Sequence, residues 1–221
     1  MSEWWTYSLS DFLMFSARTY FRLLELYNRA VWPAHLAAAA GGIALVVCAL
    51  RGGERAGRDA ALLLGLCWLW VGWAFHAQRY ATINSAAPYF AGGFAVQGLL
   101  LLWTGAVRGH ELLGGASGRA RFGRVLLLLA VLGYPLLAPA TGRPWPQAEL
   151  FGIAPDPTAA ATLGFLLLSR RAGWPCWIVP LLWCAISGAT LWTMHTPEAW
   201  VLPLIALLAL LAAAGTDRHA A

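Results

Sequence analysis

Lysine is missing from this 221-residue chain: all 15 of its basic residues are arginine. Without a lysine amine no Schiff base can form, so a retinal protein and a lysine-dependent aldolase are excluded. Charge of either sign is scarce, at 11% of residues against 60% hydrophobic, where soluble domains carry about 25% charged residues. A soluble fold could not hide that much apolar surface, so lipid has to be the solvent for much of it. Cysteine is also scarce. Cys48, Cys67, Cys176 and Cys184 all fall inside apolar runs without a CxxC pair, which reads as packed, inert thiols rather than a disulfide framework or zinc ribbon. No GxSxG, HExxH, Walker A or GxGxxG signature is present, so neither nucleophilic catalysis nor nucleotide-driven work is supported within the chain. The net charge of +5 does not point to nucleic acid, because the arginines are spread through loops between apolar runs, where topogenic charge explains them.

What the chain does have is apolar length. At roughly 20 residues per crossing of a hydrocarbon core about 30 Å thick, six or seven spans fit, with little left for a soluble domain. The expected fold is all-α: a polytopic transmembrane helix bundle, seven spans with six as the alternative, preceded by an amphipathic interfacial helix. That helix occupies residues 1–29, the transmembrane domain 30–214 and a cytoplasmic tail 215–221. The start MSEWWTYS has no basic n-region and no cleavage site follows it, so it does not read as a signal peptide. Ser8 and Asp11 instead suit a helix start. Leu9, Phe12, Leu13, Tyr20, Leu24 and Tyr27 then trace one face, and Arg18, Arg22, Glu25 and Arg29 the opposite one.

The spans read as Trp32–Leu50, Ala60–Tyr80, Ala86–Val107, Val125–Ala140 with Pro135 as a kink, a short segment from Asp156, then Trp174–Met194 and Glu198–Ala214. With seven spans, one side receives loops holding three, four, two and one Arg, while the other receives Arg79, Arg143 and the arginines of the first helix. The positive-inside rule then places the N-terminus outside and the C-terminus in the cytoplasm.

Polar residues collect on the outer side under that topology. His76, Arg79 and Asn84 come from the first hairpin, Glu149 and Asp156 from the long connection, and His195 from the last hairpin. Ionisable groups at membrane depth cost several kcal/mol unless paired or hydrated, so they mark pathways or sites; at the rim, water would satisfy them cheaply. The helix after Asp156-Pro157 reaches Arg170 after only about 13 residues, roughly 20 Å. Either the segment before it dips into the bilayer, as in transporters with discontinuous helices, or the helix begins earlier at Ala148. Asp156 would be its N-cap, with Arg79 and Asn84 as the expected partners of the buried carboxylate. His76 and His195 are weak candidates for a metal or haem, belonging to no spaced motif.

Three stretches carry a resemblance: WWTYSLSDFLMFSARTYFRLLELYNRAVWP, WAFHAQRYATINSAAPYF, and FGIAPDPT with the later LLWCAISGATLW. They resemble a family of bacterial multi-pass membrane proteins catalogued as a domain of unknown function, number 6064. The resemblance implies an integral membrane protein and transfers no catalytic residue. Three roles stay open: binding or moving a small solute or ion through an outer polar pocket, service as an accessory subunit of a membrane complex, and redox chemistry with a bound haem, metal or quinone. The expected partners are the lipid bilayer and a second copy or partner membrane subunit.

Overall fold

The computed structural model describes residues 14–114, 117–170 and 172–215. The described chain is helical throughout, its only extended pairing being two isolated bridges. The helices are α1 (Ala17–Ala30), α2 (Ala34–Arg51), α3 (Gly53–Trp70), α4 (Ala87–Trp103), α5 (Gly118–Leu128), α6 (Leu137–Ala140), α7 (Pro155–Leu168), α8 (Pro175–Thr193) and α9 (Val201–Ala214). Three of them run on into π-helical turns: α3 over Val71–Ala77, α4 over Thr104–Arg108 and α5 over Leu129–Gly133.

Six helical stretches are long and apolar enough to cross a membrane: Ala34–Arg51, Gly53–Thr82, Ala87–Arg108, Gly118–Ala140, Pro175–Thr193 and Pro197–Ala214. The expected short fifth span, α7, is not among them: it has 14 residues, about 21 Å. The predicted helix start at Ser8 and Asp11 lies outside the described residues. Within them, α1 starts at Ser16, whose hydroxyl accepts from the Thr19 amide. It buries Tyr20, Leu23, Leu24 and Tyr27 and leaves Arg18, Arg22 and Arg29 exposed.

The molecule is organised around α7. Every one of its residues is buried, and it packs against α3, α5, α8 and α9. A helix apolar on all sides belongs in the middle of a bundle, and small residues let its neighbours close in. At the crossing with α5, a Cβ on Gly164 would lie 2.9 Å from the Gly123 carbonyl oxygen. The ends of a buried helix still need partners. Pro155 and Pro157 remove two of the orphan donors in the first turn. At the other end Arg119 Nε donates to the Leu167 carbonyl at 2.8 Å, so a cation sits where the helix dipole is negative.

Contacts define two ends of the bundle. At one, Leu112 bridges to both Gly53 and Ser169. His110 is buried there between Ser169 Oγ, 2.8 Å from Nδ1, and Thr104 Oγ1, 3.0 Å from Nε2. The Thr104 proton is already given to the Leu100 carbonyl at 2.8 Å, so His110 donates from Nε2 and accepts at Nδ1. At the other end, α1 clamps the segment that leads into α7. Asn28 Nδ2 donates to the carbonyls of Pro146 and Ala148, and Tyr27 Oη to that of Ile153. That segment is buried and non-helical from Ala148 to Ala154, except for slightly exposed Leu150. The alternative of a helix beginning at Ala148 is therefore overturned.

Candidate functional site

Asp156 lies in the first turn of α7 with no exposed surface. Helix entry falls at Ala154 rather than at Asp156, because Pro155 suits the first turn. Freed from capping, the carboxylate points sideways and accepts three hydrogen bonds. Ser187 Oγ donates at 2.7 Å, Trp183 Nε1 at 2.8 Å and Tyr134 Oη at 3.1 Å. Three donors and no facing acceptor describe an anion held by neutral groups. Each donor has a local cause. Trp183 and Ser187 are four apart on α8 and share a face; Tyr134 follows the π-helical turn of α5 and precedes Pro135, where regular hydrogen bonding is interrupted.

Glu149 is the second buried acid, in the segment leading into α7. Its Oε2 is enclosed and has no hydrogen-bond partner. The negative charge of Asp156 acts on it, and Arg143 acts with the opposite sign. Arg143 itself is committed to a third acid. It donates from Nε and NH2 to Glu198 Oε1, both at 2.8 Å, and Thr141 Oγ1 adds a bond of 2.6 Å. Its guanidinium also lies 4.1 Å from the centre of the Phe21 ring. This nearly buried pair ties the start of α9 to the segment before α7.

His76 sits in the π-helical turn of α3 with no exposed surface, and neither ring nitrogen has a partner. Aromatic rings enclose it: Phe94 at 4.4 Å, Trp183 at 4.8 Å, Phe75 at 5.2 Å and Tyr80 at 5.9 Å between centroids. Since Trp183 also holds Asp156, the imidazole and the carboxylate are two faces of one cluster. Tyr20 of α1 closes it from the side, 5.8 Å from Tyr80.

Of the six residues singled out in the sequence, His76, Glu149 and Asp156 are brought together and three stand apart. Arg79 and Asn84 are not the partners of Asp156. Arg79 lines a surface cavity of about 410 Å³ with Arg18 and Arg22, and Asn84 Oδ1 accepts from the Ala86 amide at 2.9 Å, ordering the turn into α4. His195 is exposed at the end of α8 with φ of 54°. His76 and His195 therefore do not converge on one centre. Among the described residues no group of three His, Cys, Asp or Glu is placed to hold a metal ion. Sequence reasoning passed over Tyr134, Trp183 and Ser187. Polar side chains inside apolar runs were the available signal.

The cluster is closely packed. Well-formed cavities lie elsewhere, such as an apolar groove of about 680 Å³ between α2 and α3. An apolar recess of about 230 Å³ between α5 and α9 reaches the edge of the cluster at Tyr134. Below Asp156 the hydroxyls of Thr158 and Thr162 bond back to carbonyls of their own helix, and Trp68 donates to Thr162 at 2.8 Å. From Leu163 to Leu168 α7 offers only apolar side chains and Gly164.

Comparison with curated proteins and with solved structures finds no match. A family model does match, over residues 17–221, so a chain of membrane-length helices around a buried acidic cluster belongs to DUF6064, a family of unknown function.

Proposed function

We propose that this is a multi-pass protein of a bacterial inner membrane that binds a small cation, best a proton, at Glu149 and Asp156. The observation that carries the reading is the enclosed Glu149 oxygen without a partner beside a carboxylate already held by three donors. A buried carboxyl in that position is relieved of desolvation and repulsion by taking up a proton. The packing of the cluster favours a proton over a solute of several atoms, and His76, with both nitrogens free, offers a second acceptor close by. Arg79, Asn84 and His195 keep at most a rim contact with the solute. The apolar stretch Leu163–Leu168 makes this a loaded binding site opening on the outer face, not an open channel. Transfer across would require α7 to move against its neighbours.

The topology that accompanies this reading has seven passes, the fifth formed by buried segment 148–154 together with α7. The N-terminus lies outside, the C-terminus in the cytoplasm, and α1 in the outer interface. The test is infrared difference spectroscopy of purified protein between acidic and alkaline pH. A protonated carboxyl band that persists through neutral pH and disappears in Glu149→Gln is expected. An ionised Glu149 throughout the neutral range would overturn the reading.

The apolar groove between α2 and α3 favours a second reading, an accessory subunit docking a partner helix there. Co-purification of a stoichiometric membrane partner, lost on Ala38→Trp, would favour it.

A further inference from the structure

At the end of the bundle opposite Asp156, the first turns of α3 and the last turn of α4 enclose a recess of about 590 Å³. Arg55, Arg58 and Arg108 line it, with Glu54 and Asp59. Its shape has a local origin. Gly105 brings the helices together, since a Cβ there would lie 2.9 Å from the Ala61 methyl. That contact lies within the π-helical turn that widens the end of α4, which stops at Gly109 with φ of 66°, leaving a gap between the two helix ends.

The position of the recess relative to a bilayer follows from length. The stretch Gly53–Thr82 is 30 residues, about 45 Å against a hydrocarbon core of about 30 Å. Its first two turns therefore stand in the headgroup layer. The membrane-facing edge of the recess is apolar and open, with Trp103 51% and Val107 67% exposed. Arg108 lies over the Trp103 ring at 5.0 Å, joining the polar wall to the apolar sill.

Three guanidinium groups against two carboxylates leave one positive charge, which one phosphodiester neutralises. Guanidinium forks match phosphate oxygens in geometry as well as charge, and basic pockets between membrane helices suit acidic headgroups. A free phosphate would use the arginines and leave the Trp103–Val107 sill in water, whereas a phospholipid uses both. We propose that this recess binds one anionic phospholipid, its phosphate on Arg55, Arg58 and Arg108 and an acyl chain along Trp103 and Val107.

The test uses the full chain in an uncharged detergent, with phosphatidylglycerol, phosphatidylcholine or inorganic phosphate added. Thermal unfolding and native mass spectrometry are the readouts. Phosphatidylglycerol is expected to raise the melting temperature and to remain bound as one molecule per chain. Phosphatidylcholine and inorganic phosphate should do so only weakly. Arg58→Ala with Arg108→Ala should weaken the phosphatidylglycerol effect roughly tenfold or more. These are exposed side chains, and Arg108→Gln alone, with a smaller loss, guards against misfolding. Arg51→Ala removes the same charge at the same end outside the recess and should leave binding unchanged. An equal loss in Arg51→Ala would reduce the effect to a general basic belt and overturn the site. Equal stabilisation by phosphatidylcholine, or by inorganic phosphate alone, would overturn the lipid assignment.

Discussion

His195 takes a left-handed backbone conformation because α8 has to stop within a short connection. The Thr196 amide bonds back to Leu191 at 3.1 Å and the His195 amide to Trp192 at 2.9 Å, the pairing that closes helices ending in a left-handed residue. A side chain there costs about 1–2 kcal/mol, which glycine avoids while losing part of the gain to its unfolded-state freedom. His195→Gly is therefore expected to stabilise the protein by about 0.5–1 kcal/mol in thermal unfolding. A loss of stability would show that the imidazole itself is held by something. Glu149 behaves in the opposite sense. On the proposed reading it stays protonated through neutral pH in the folded protein, so the folded state binds more protons than the unfolded chain over that range. Its contribution is complete below the unfolded value of about 4.3 and is lost as pH rises through the folded value. The melting temperature should fall as pH is raised from mildly acidic to alkaline, and Glu149→Gln should flatten that fall. An unchanged slope in the variant would assign the pH dependence to other groups.

At the scale of elements, an interrupted helix explains the buried amide of Gln97. Pro180 lies inside α8 and has no amide hydrogen, so the carbonyl of Cys176, four residues earlier, loses its helical donor. Gln97 of α4 supplies the replacement, with Nε2 3.0 Å from that oxygen. An enclosed carbonyl left unpaired costs about 1–3 kcal/mol, so Gln97→Ala should destabilise the protein by that amount. Pro180→Ala restores a helical donor, and in that background Gln97→Ala should cost much less. Additive effects in this cycle would remove the link between the two residues. The helices themselves were legible because arginine clusters and prolines punctuate the apolar runs, and the short α7 stood out through Asp156-Pro157 and Arg170. The partners of Asp156 were not legible. Tyr134, Trp183 and Ser187 lie 22, 27 and 31 residues away in sequence, and the direction in which Tyr134 leaves the end of α5 depends on a π-helical turn that shifts the helical phase. Placement on the same side of the expected topology favoured Arg79 and Asn84 instead, whose side chains the turn at Tyr80–Thr82 leaves toward the surface and the start of α4.

For the whole molecule, the placement of arginine bears on which end faces the cytoplasm. Arg51, Arg55, Arg58, Arg108, Arg119, Arg121, Arg124 and Arg170 lie in or beside the connections at the end where Leu112 meets Gly53 and Ser169. The end where α1 clamps segment 141–154 has Arg143, with Arg79 and the arginines of α1 beside it. Part of that bias is structural. Arg119 holds the last carbonyls of α7, and Arg124 donates to the carbonyls of Ala49 at 3.3 Å and Leu113 at 3.0 Å. With those two set aside, six arginines at the first end still oppose five at or near the second, and three of the five belong to a helix whose apolar face is already buried in the protein. Arginines close to the ends of spans are the ones that orient a chain, and by that measure the Leu112 end is expected in the cytoplasm. Single cysteines at Ser117 and Ser85, in a background with the four native cysteines replaced, can decide it. Both serines are exposed and lie outside the helices. An impermeant thiol reagent applied to intact cells should modify the cysteine at 85 and spare the one at 117 until the membrane is opened. The reverse pattern would turn the molecule over, placing the acidic cluster at the cytoplasmic face and the arginine-lined recess outside.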